Sequence, residues 1–262
     1  MIPKQIHYCW FGGNPLPDSA KKCIESWKKF CSDYEIIEWN ESNFDVNCCE
    51  YVHEAYEAKK WAFVSDVARL YIVAEHGGIY LDTDVELIKP LDSLLKYNGF
   101  MGFEEKQYVA LGLGFGAIKG NPLVCELAES YRSLSFIRED GSYNLKPIPH
   151  YTTEIMEKHG LQTNGKFQMI DGVAVFPKEY FCPFDYNTGK MNITPNTYSI
   201  HWYDASWYDE SSQYGKLLKW KLSKIMPAPI ALKVSRFVAI VKFRRFKEAF
   251  SNLLIRLKKK RD

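Results

Sequence analysis

"GGIYLDTDVELIKP" (residues 77–90) sets an apolar run between a pair of glycines and two aspartates. Residues 48–76 before it have a helical pattern that stops at the glycines, which can adopt the backbone angles of a helix C-cap. The run "IYLDTDV" then predicts a buried β-strand. Because strand side chains alternate between faces, we expect Asp82 and Asp84 to point the same way and Thr83 the other.

The aspartate pair predicts a cation site. Two carboxylates that converge on one spot repel each other unless a cation lies beside them or one binds a proton. A divalent ion held by one or two carboxylates usually completes its shell with water and substrate phosphates, as in a nucleotide diphosphate site. In open α/β sheets such ligands bind beyond the carboxyl ends of the strands. The alternative is that both acids cap a loop or pair with nearby lysines.

The remaining pattern predicts an α/β domain around this site. "QIHYCWF" and "YEIIEWN" are short β-rich runs, and "PDSAKKCIESWKKFC" between them has the apolar spacing of one helical face. Apolar runs follow at "GFMGF", "LGLGFGAI" and "FQMIDGVAVF", with a helix expected over 121–134. This order predicts a mixed, mainly parallel sheet in one catalytic domain, residues 1–212, followed by a basic helical appendage over 213–262.

The composition is that of a folded protein with two electrostatically different parts. Of the 262 residues 46% are hydrophobic and 25% charged, which excludes a mostly disordered chain. Residues 216–262 contain 15 Lys and Arg against 2 Asp and Glu, whereas residues 1–215 contain 19 against 30. The seven cysteines lack zinc-ligand spacing and predict reduced thiols in a cytoplasmic protein. The sequence predicts neither a signal peptide nor a membrane-spanning run.

Three stretches carry a family resemblance. "IPKQIHYCWFGG", "FVSDVARLYIVAEHGGIYLDTDVE" and "SIHWYDASW" together resemble the retaining glycosyltransferases whose sugar-binding region contains a DxD motif. That family includes yeast-type initiating α-mannosyltransferases, the glucosyltransferase domains of clostridial toxins and bacterial capsular polysaccharide enzymes. The resemblance runs from residue 1 to about residue 208 and implies a single nucleotide-sugar-binding domain of the GT-A type.

The resemblance also implies roles for individual residues. A divalent Mn²⁺ or Mg²⁺ ion would stabilise the departing diphosphate, and Asp82 would also lie at the ribose. The metal ligands implied are Asp82, Asp84 and His201. The catalytic residues implied are Arg69, Asp82 and Asp84. The donor site implied comprises Trp10, Asp66, Arg69, Tyr80, Asp82 and Trp207.

Most of these residues have a structural alternative. Asp66 and Arg69, three residues apart on one helical face, also suit a plain ion pair. Trp10 suits either stacking on a nucleobase or packing in the core. His201 suits either a metal ligand or a satisfied core histidine. Trp207 is expected on a loop that closes over the donor.

The acceptor side and the mechanism are less specified by the sequence. Aromatic side chains stack on sugars but also fill cores. No carboxylate can be nominated as a nucleophile, so attack by the acceptor on the face that the diphosphate leaves is favoured over a covalent glycosyl intermediate. The candidates for the acceptor side are His150, Asp171, Tyr180, Phe181 and Phe184.

The basic tail predicts an amphipathic helix at a membrane surface. Such a helix would hold the enzyme on the inner face of the membrane, where a lipid-linked acceptor would lie. The alternatives are packing on the acidic body or on another copy, and non-specific binding of nucleic acid. The apolar positions recur every three or four residues, at Phe237, Ile240 or Val241, Phe246, Phe250, Leu253, Leu254 and Leu257.

Two rival functions and the donor remain open. "IYLDTDVEL" also fits the first motif of haloacid-dehalogenase phosphatases, with Asp82 as nucleophile, but no paired acidic motif follows Asp84. A non-catalytic membrane-surface scaffold is the other rival, and intact Asp66, Arg69, Asp82 and Asp84 argue against it. We expect a UDP-sugar donor ahead of GDP-mannose. The expected acceptor is a glycan or lipid-linked saccharide in surface polysaccharide synthesis.

Overall fold

The computed structural model describes residues 1–105, 107–204 and 210–243. These residues form two compact units. The first comprises Met1–Pro183 and Asn192–Trp202, and the second comprises Phe184–Met191 and the described residues from Tyr203 onward. The domain boundary expected after residue 212 stays a prediction.

The first unit contains all the strands of the described residues. They are β1 (Gln5–Cys9), β2 (Glu35–Trp39), β3 (Gly78–Tyr80), β4 (Val85–Leu87), β5 (Gly99–Glu105), β6 (Tyr108–Val109), β7 (Phe115–Ala117), β8 (Gln168–Ile170), β9 (Val173–Phe176) and β10 (Ser199–His201). Its helices are α1 (Asp18–Phe30), α2 (Glu50–Glu57), α3 (Trp61–His76), α4 (Pro122–Glu129) and α5 (Ile148–Lys158). The second unit contributes α6 (Glu210–Leu222) and α7 (Ala228–Lys242).

The main sheet is mixed and mainly parallel, which confirms the predicted fold class. Its order is β2-β1-β3-β7-β5-β9-β8, with β6 paired to β5. β1 runs parallel to β2 and β3, and β5 runs parallel to β9. β7 is antiparallel to both β3 and β5, so the carboxyl ends of β3 and β5 lie at the same edge. β4 and β10 form a separate antiparallel pair.

The core lies between this sheet and α2 to α5, and the helices follow the predicted patterns with two differences. In α1 the buried positions include Ile24 and Trp27, as the apolar spacing predicts. The helix expected over residues 48–76 is divided into α2 and α3, because the chain takes a positive φ of 54° at Lys59. The helix expected over 121–134 ends at Glu129 and continues as a 3-10 turn, Ser130–Ser133.

The glycine pair after α3 is required by close packing as well as by backbone angle. Gly77 and Gly78 have φ of 72° and 92°, a region that side chains other than glycine rarely adopt. A Cβ at Gly78 would lie 2.7 Å from Nε2 of His7. The glycines therefore allow the chain to turn from α3 directly into β3 beside β1.

His7 in β1 is fully buried and neutral. Its Nδ1 accepts a hydrogen bond from Nε1 of Trp39 at 3.1 Å, so its Nε2 carries the proton and donates to the Gly77 carbonyl at 2.9 Å. Burial lowers the pKa of His7 to about 4, although the Gly77 carbonyl opposes this shift.

No helix among the described residues has both the length and the apolarity needed to cross a membrane.

The buried imidazole predicts acid sensitivity. An unfolded His7 binds a proton below pH 6.5 whereas the folded one does so only near pH 4, so stability is present above pH 6.5 and is lost as the pH falls. We expect this residue to remove about 3 kcal/mol of unfolding free energy between pH 7 and pH 4. Urea denaturation of the native protein and of His7→Gln measures it, because the variant lacks this component. A difference between the two proteins that stays constant with pH would contradict the assignment.

Candidate functional site

Asp82 and Asp84 lie in the turn between β3 and β4. β3 ends at Tyr80, and a hydrogen bond of 2.9 Å from the Val85 amide to the Asp82 carbonyl closes the turn. We expected the two aspartates to share one face of a strand. That expectation is wrong, because neither residue belongs to a strand. Their carboxylates come together because the chain reverses at this point.

His201 joins the aspartates through strand pairing. β10 is antiparallel to β4 with His201 opposite Val85, and the Trp202 amide donates to the Asp84 carbonyl at 3.0 Å. This register places Nε2 of His201 at 3.1 Å from Oδ1 of Asp84. One ligand atom from each of Asp82, Asp84 and His201 lies within 4.8 Å of the others. Residues more than 100 positions apart in the sequence thus form one cluster.

This cluster fits a divalent cation. Two carboxylate oxygens and an imidazole nitrogen are suitable ligands for Mn²⁺, and ligands about 2.1 Å from an ion lie up to about 4 Å from each other. Small side-chain adjustments would bring all three atoms into that range. The open positions on such an ion are those that diphosphate oxygens usually fill.

The electrostatics of the cluster also favour positive charge. Burial alone would lower the pKa of His201, but Asp84 and, less strongly, Asp82 raise it to about 8. Burial raises the pKa of Asp82, Arg69 opposes this, and Asp84 adds to it. Without an ion, a protonated His201 supplies the positive charge that the two carboxylates require.

Arg69 links the helix before the turn to the turn itself. Its guanidinium is almost fully buried, with Nη2 at 2.8 Å from Oδ1 of Asp66 and at 3.2 Å from Oδ1 of Asp82. Burial raises the pKa of Asp66 to about 6, although Arg69 opposes the shift. The ion pair between Asp66 and Arg69 is thus present, and it is extended to the first aspartate of the DxD motif.

Tyr80 lies behind Asp82. The phenol is 1% exposed, its hydroxyl donates to Oδ1 of Asp82 at 3.0 Å, and the Arg69 guanidinium lies 4.8 Å from its ring centroid. A fully buried ring in this place orients Asp82. A direct contact between Tyr80 and the donor stays a prediction.

Gly112 is a site residue that the sequence analysis missed. It lies in a 3-10 turn, Leu111–Leu113, where an added Cβ would overlap Oδ2 of Asp82 and lie 3.1 Å from Nη1 of Arg69. Such close approach of backbone to charged side chains requires glycine. The run "LGLGFG" is the only signal in the sequence, and it reads equally well as a strand.

The structure describes Trp10 but not Trp207. Trp10 follows β1 at the same sheet edge as the turn after β3, is half-buried, and donates from Nε1 to the Asn14 carbonyl at 2.5 Å. Trp207 lies outside the described residues. Both assignments to the donor stay predictions.

The residues suggested for the acceptor side occupy several places. The His150 ring lies 4.4 Å from that of Tyr108 in β6, and Phe181 is buried against Phe100. Asp171 binds Nδ1 of His159, whose Nε2 contacts Glu126, in an exposed network. Tyr180 packs against Phe176 and Tyr198, and Phe184 belongs to the second unit.

A family comparison covers most of this site. Residues 17–101 match a family model described as "Glycosyltransferase sugar-binding region containing DXD motif". The matched region includes Asp66, Arg69, Asp82 and Asp84, whereas His201 lies beyond it. Over these residues the match agrees with the predicted family resemblance.

Individual relatives are distant. Over 147 residues the chain is 26% identical to inositol phosphoceramide mannosyltransferase 3 of Schizosaccharomyces pombe, covering 52% of this chain and 38% of that protein. It is 24% identical over 218 residues to an uncharacterized glycosyltransferase of Acanthamoeba polyphaga mimivirus, covering 79% and 84% of the two chains. The solved PaToxG glycosyltransferase superimposes with a TM-score of 0.48 at 18% identity, over 60% of this chain and 69% of that one. The chain therefore spans well under two thirds of the yeast protein.

The pairing of Arg69 makes a stability prediction. Arg69→Gln leaves two buried carboxylates without their cation, so we expect a loss of about 3–5 kcal/mol of unfolding free energy at neutral pH without added metal. Arg132→Gln is the matched control, since Arg132 forms an i,i+3 pair with Glu129 that is more than half exposed. We expect that control to lose less than about 1 kcal/mol. Equal small losses in urea denaturation of both variants would show that the buried network contributes nothing.

Proposed function

Since residues 17–101 belong to the family of glycosyltransferase sugar-binding regions that contain a DXD motif, we propose that this chain transfers a hexosyl unit from a nucleotide diphosphate sugar to a saccharide acceptor. The observation that carries the proposal is the convergence of Asp82, Asp84 and His201 at the edge of the sheet where such donors bind. We propose that these three residues hold the ion, Mn²⁺ or Mg²⁺. That ion supplies positive charge to the departing diphosphate.

The protein's own groups prepare the site for the donor. Arg69 and the Tyr80 hydroxyl fix the orientation of Asp82, whose side chain remains 25% exposed. Gly112 keeps the space beside Asp82 free of side chain. We propose that Trp10 stacks on the nucleobase and that Asp66 accepts hydrogen bonds from the donor sugar.

We propose a retaining reaction in which the acceptor hydroxyl attacks on the face that the diphosphate leaves. The bond from the anomeric carbon to the diphosphate oxygen breaks, the new glycosidic bond forms, and a departing phosphate oxygen takes the hydroxyl proton. Asp82 is a poor alternative nucleophile because Oδ1 is held by Tyr80 and Arg69, and Oδ2 by Nη1 of Arg69 at 3.3 Å. The same restraint argues against a phosphatase in which Asp82 attacks.

The donor and the acceptor are proposed from chemistry and from similarity. We favour a UDP-sugar, and the yeast relative, whose name is that of a mannosyltransferase, keeps GDP-mannose as the alternative. The proposed acceptor is a glycan or a lipid-linked saccharide in surface polysaccharide synthesis, such as that of a capsule. A cytoplasmic enzyme on the inner face of the membrane would meet both substrates.

We further propose that the second unit binds an anionic membrane surface. In α7 the apolar residues Ile230, Val234, Phe237 and Val241 share one face and are 36–66% exposed, with Phe237 the most exposed. Another face, with Ala231 and Ala239, is buried, and α7 packs on α6. The predicted apolar positions from Phe246 onward lie outside the described residues.

Charge favours a bilayer over a second copy as the occupant of that apolar face. Residues 216–262 carry 15 basic against 2 acidic side chains, so two copies of this region repel each other. Anionic lipid attracts each nearby basic residue by about 1 kcal/mol. Lys233 and Arg236, both exposed, flank the apolar face and would lie at the level of the headgroups.

Donor binding tests the proposed site. We expect Mn²⁺ with UDP, or with GDP if the donor is GDP-mannose, to raise the melting temperature of the native protein. Asp84→Asn removes a ligand charge and should abolish the rise, while Asp140→Asn, at an exposed turn, should keep it. A native protein that ignores both nucleotides is a scaffold rather than a transferase.

Membrane binding has its own test. We expect the full chain to co-float with vesicles that contain phosphatidylserine, and Phe237→Asp to reduce the bound fraction at least about 5-fold. Leu145→Asp, at a comparably exposed apolar residue of the first unit, is the matched control and should float as the native chain does. Unchanged flotation of Phe237→Asp, or dimers that disappear in that variant, would count against the bilayer.

A further inference from the structure

Glu104 occupies an irregular position at the carboxyl end of β5. The pairing of β5 with β6 joins Phe103 to Val109 and Glu105 to Tyr108, so the register shifts and Glu104 is the extra residue of a β-bulge. Bulges redirect a side chain and often lie next to active sites. Glu104 is partly buried, in contrast to the fully buried Phe103 before it.

The topology places Glu104 at the same edge as the metal cluster. β3, which leads to Asp82, and β5, which leads to Glu104, run in the same direction with β7 between them. Neighbouring strands lie about 4.8 Å apart, so the two chain ends are about 10 Å from each other.

The Glu104 carboxylate has no hydrogen-bond or ion-pair partner in the part of the chain that the structure describes. The hydrogen bonds and ion pairs of residues 1–105, 107–204 and 210–243 include none from its carboxylate. The adjacent Glu105 differs, because its Oε1 binds Nζ of Lys178 at 2.6 Å. A partly buried carboxylate that lies at this edge of the sheet and forms no hydrogen bond or ion pair within the fold is suited to bind substrate.

The proposed donor residues and Glu104 lie on opposite sides of β7. Trp10 follows β1, and Asp82 follows β3, so the donor occupies the side of β1 and β3. The acceptor, which is the other substrate of the proposed reaction, would then bind on the side of β5. Tyr108, which pairs with Glu105, adds an aromatic ring whose centroid lies 4.4 Å from that of His150, with the two rings tilted by 48°. A carboxylate beside an aromatic surface is a combination that suits a sugar.

We infer that Glu104 binds the acceptor saccharide by accepting hydrogen bonds from its hydroxyl groups. This inference rests on the proposed transferase function and assigns it an acceptor-binding residue. Charge-assisted hydrogen bonds of this type strengthen binding by about 10- to 100-fold. The same signal that identified the aspartate pair, an apolar run that ends in an acid, is present in "GFMGFEE".

The test separates the acceptor from the donor. Native protein, Glu104→Gln and Glu104→Ala are compared, with Glu105→Gln and Glu105→Ala as matched controls. Calorimetry with Mn²⁺ and UDP reports donor-site binding. UDP release from UDP-glucose and UDP-galactose is then measured without acceptor and with graded methyl glycosides of glucose, galactose and mannose.

We expect Glu104→Ala to raise the glycoside concentration for half-maximal stimulation at least about 10-fold and Glu104→Gln to raise it less. UDP affinity and acceptor-free hydrolysis should match the native values, and both Glu105 variants should behave as native. Unchanged glycoside dependence in Glu104→Ala would overturn the inference while leaving the transferase intact. Weakened UDP binding in that variant would overturn it too, since Glu104 would then serve the donor. A native protein without UDP or GDP binding would instead overturn the proposed function itself.

Discussion

The site depends on concentrating negative charge in a small, mostly buried space. Asp66, Asp82 and Asp84 lie close together, and Arg69 and His201 provide the nearby positive charge. Arg69 is fixed by burial and pairs with Asp66 and Asp82, whereas His201 pairs with Asp84, which raises the pKa of the imidazole to about 8. The positive charge beside Asp66 and Asp82 is therefore fixed, whereas a metal ion can replace the positive charge beside Asp84. A metal-dependent donor site needs this combination.

Two local features of the fold create this arrangement. Gly77 and Gly78 let α3 run directly into β3, so that Arg69 on the helix and Asp82 after the strand lie within hydrogen-bond distance. The antiparallel pairing of β4 with β10 brings His201 to Asp84. A one-residue slip in that pairing would turn His201 away from the cluster. Register and turn geometry therefore determine the chemistry as much as residue identity does.

Much of the fold could be predicted from local sequence pattern. The parts that could not be predicted are those set by contacts between distant segments. Period-two and helical spacing predicted β1, α1, β2 and the glycine turn, because each pattern reflects burial of its own segment. The break at Lys59 and the turn that holds Asp82 and Asp84 were missed, since both are set by packing and carry no local signal. Gly112 and Glu104 were missed although "LGLGFG" and "GFMGFEE" contain them, because only the topology shows which segments border the aspartates.

The most direct measurement of the central claim is the position of a bound metal. Crystals grown with Mn²⁺ and UDP would give an anomalous difference map at the manganese edge. The account predicts one strong peak about 2.1 Å from carboxylate oxygens of Asp82 and Asp84 and from Nε2 of His201, with diphosphate oxygens completing the shell. A peak elsewhere, or UDP bound with no manganese among these three residues, would contradict it.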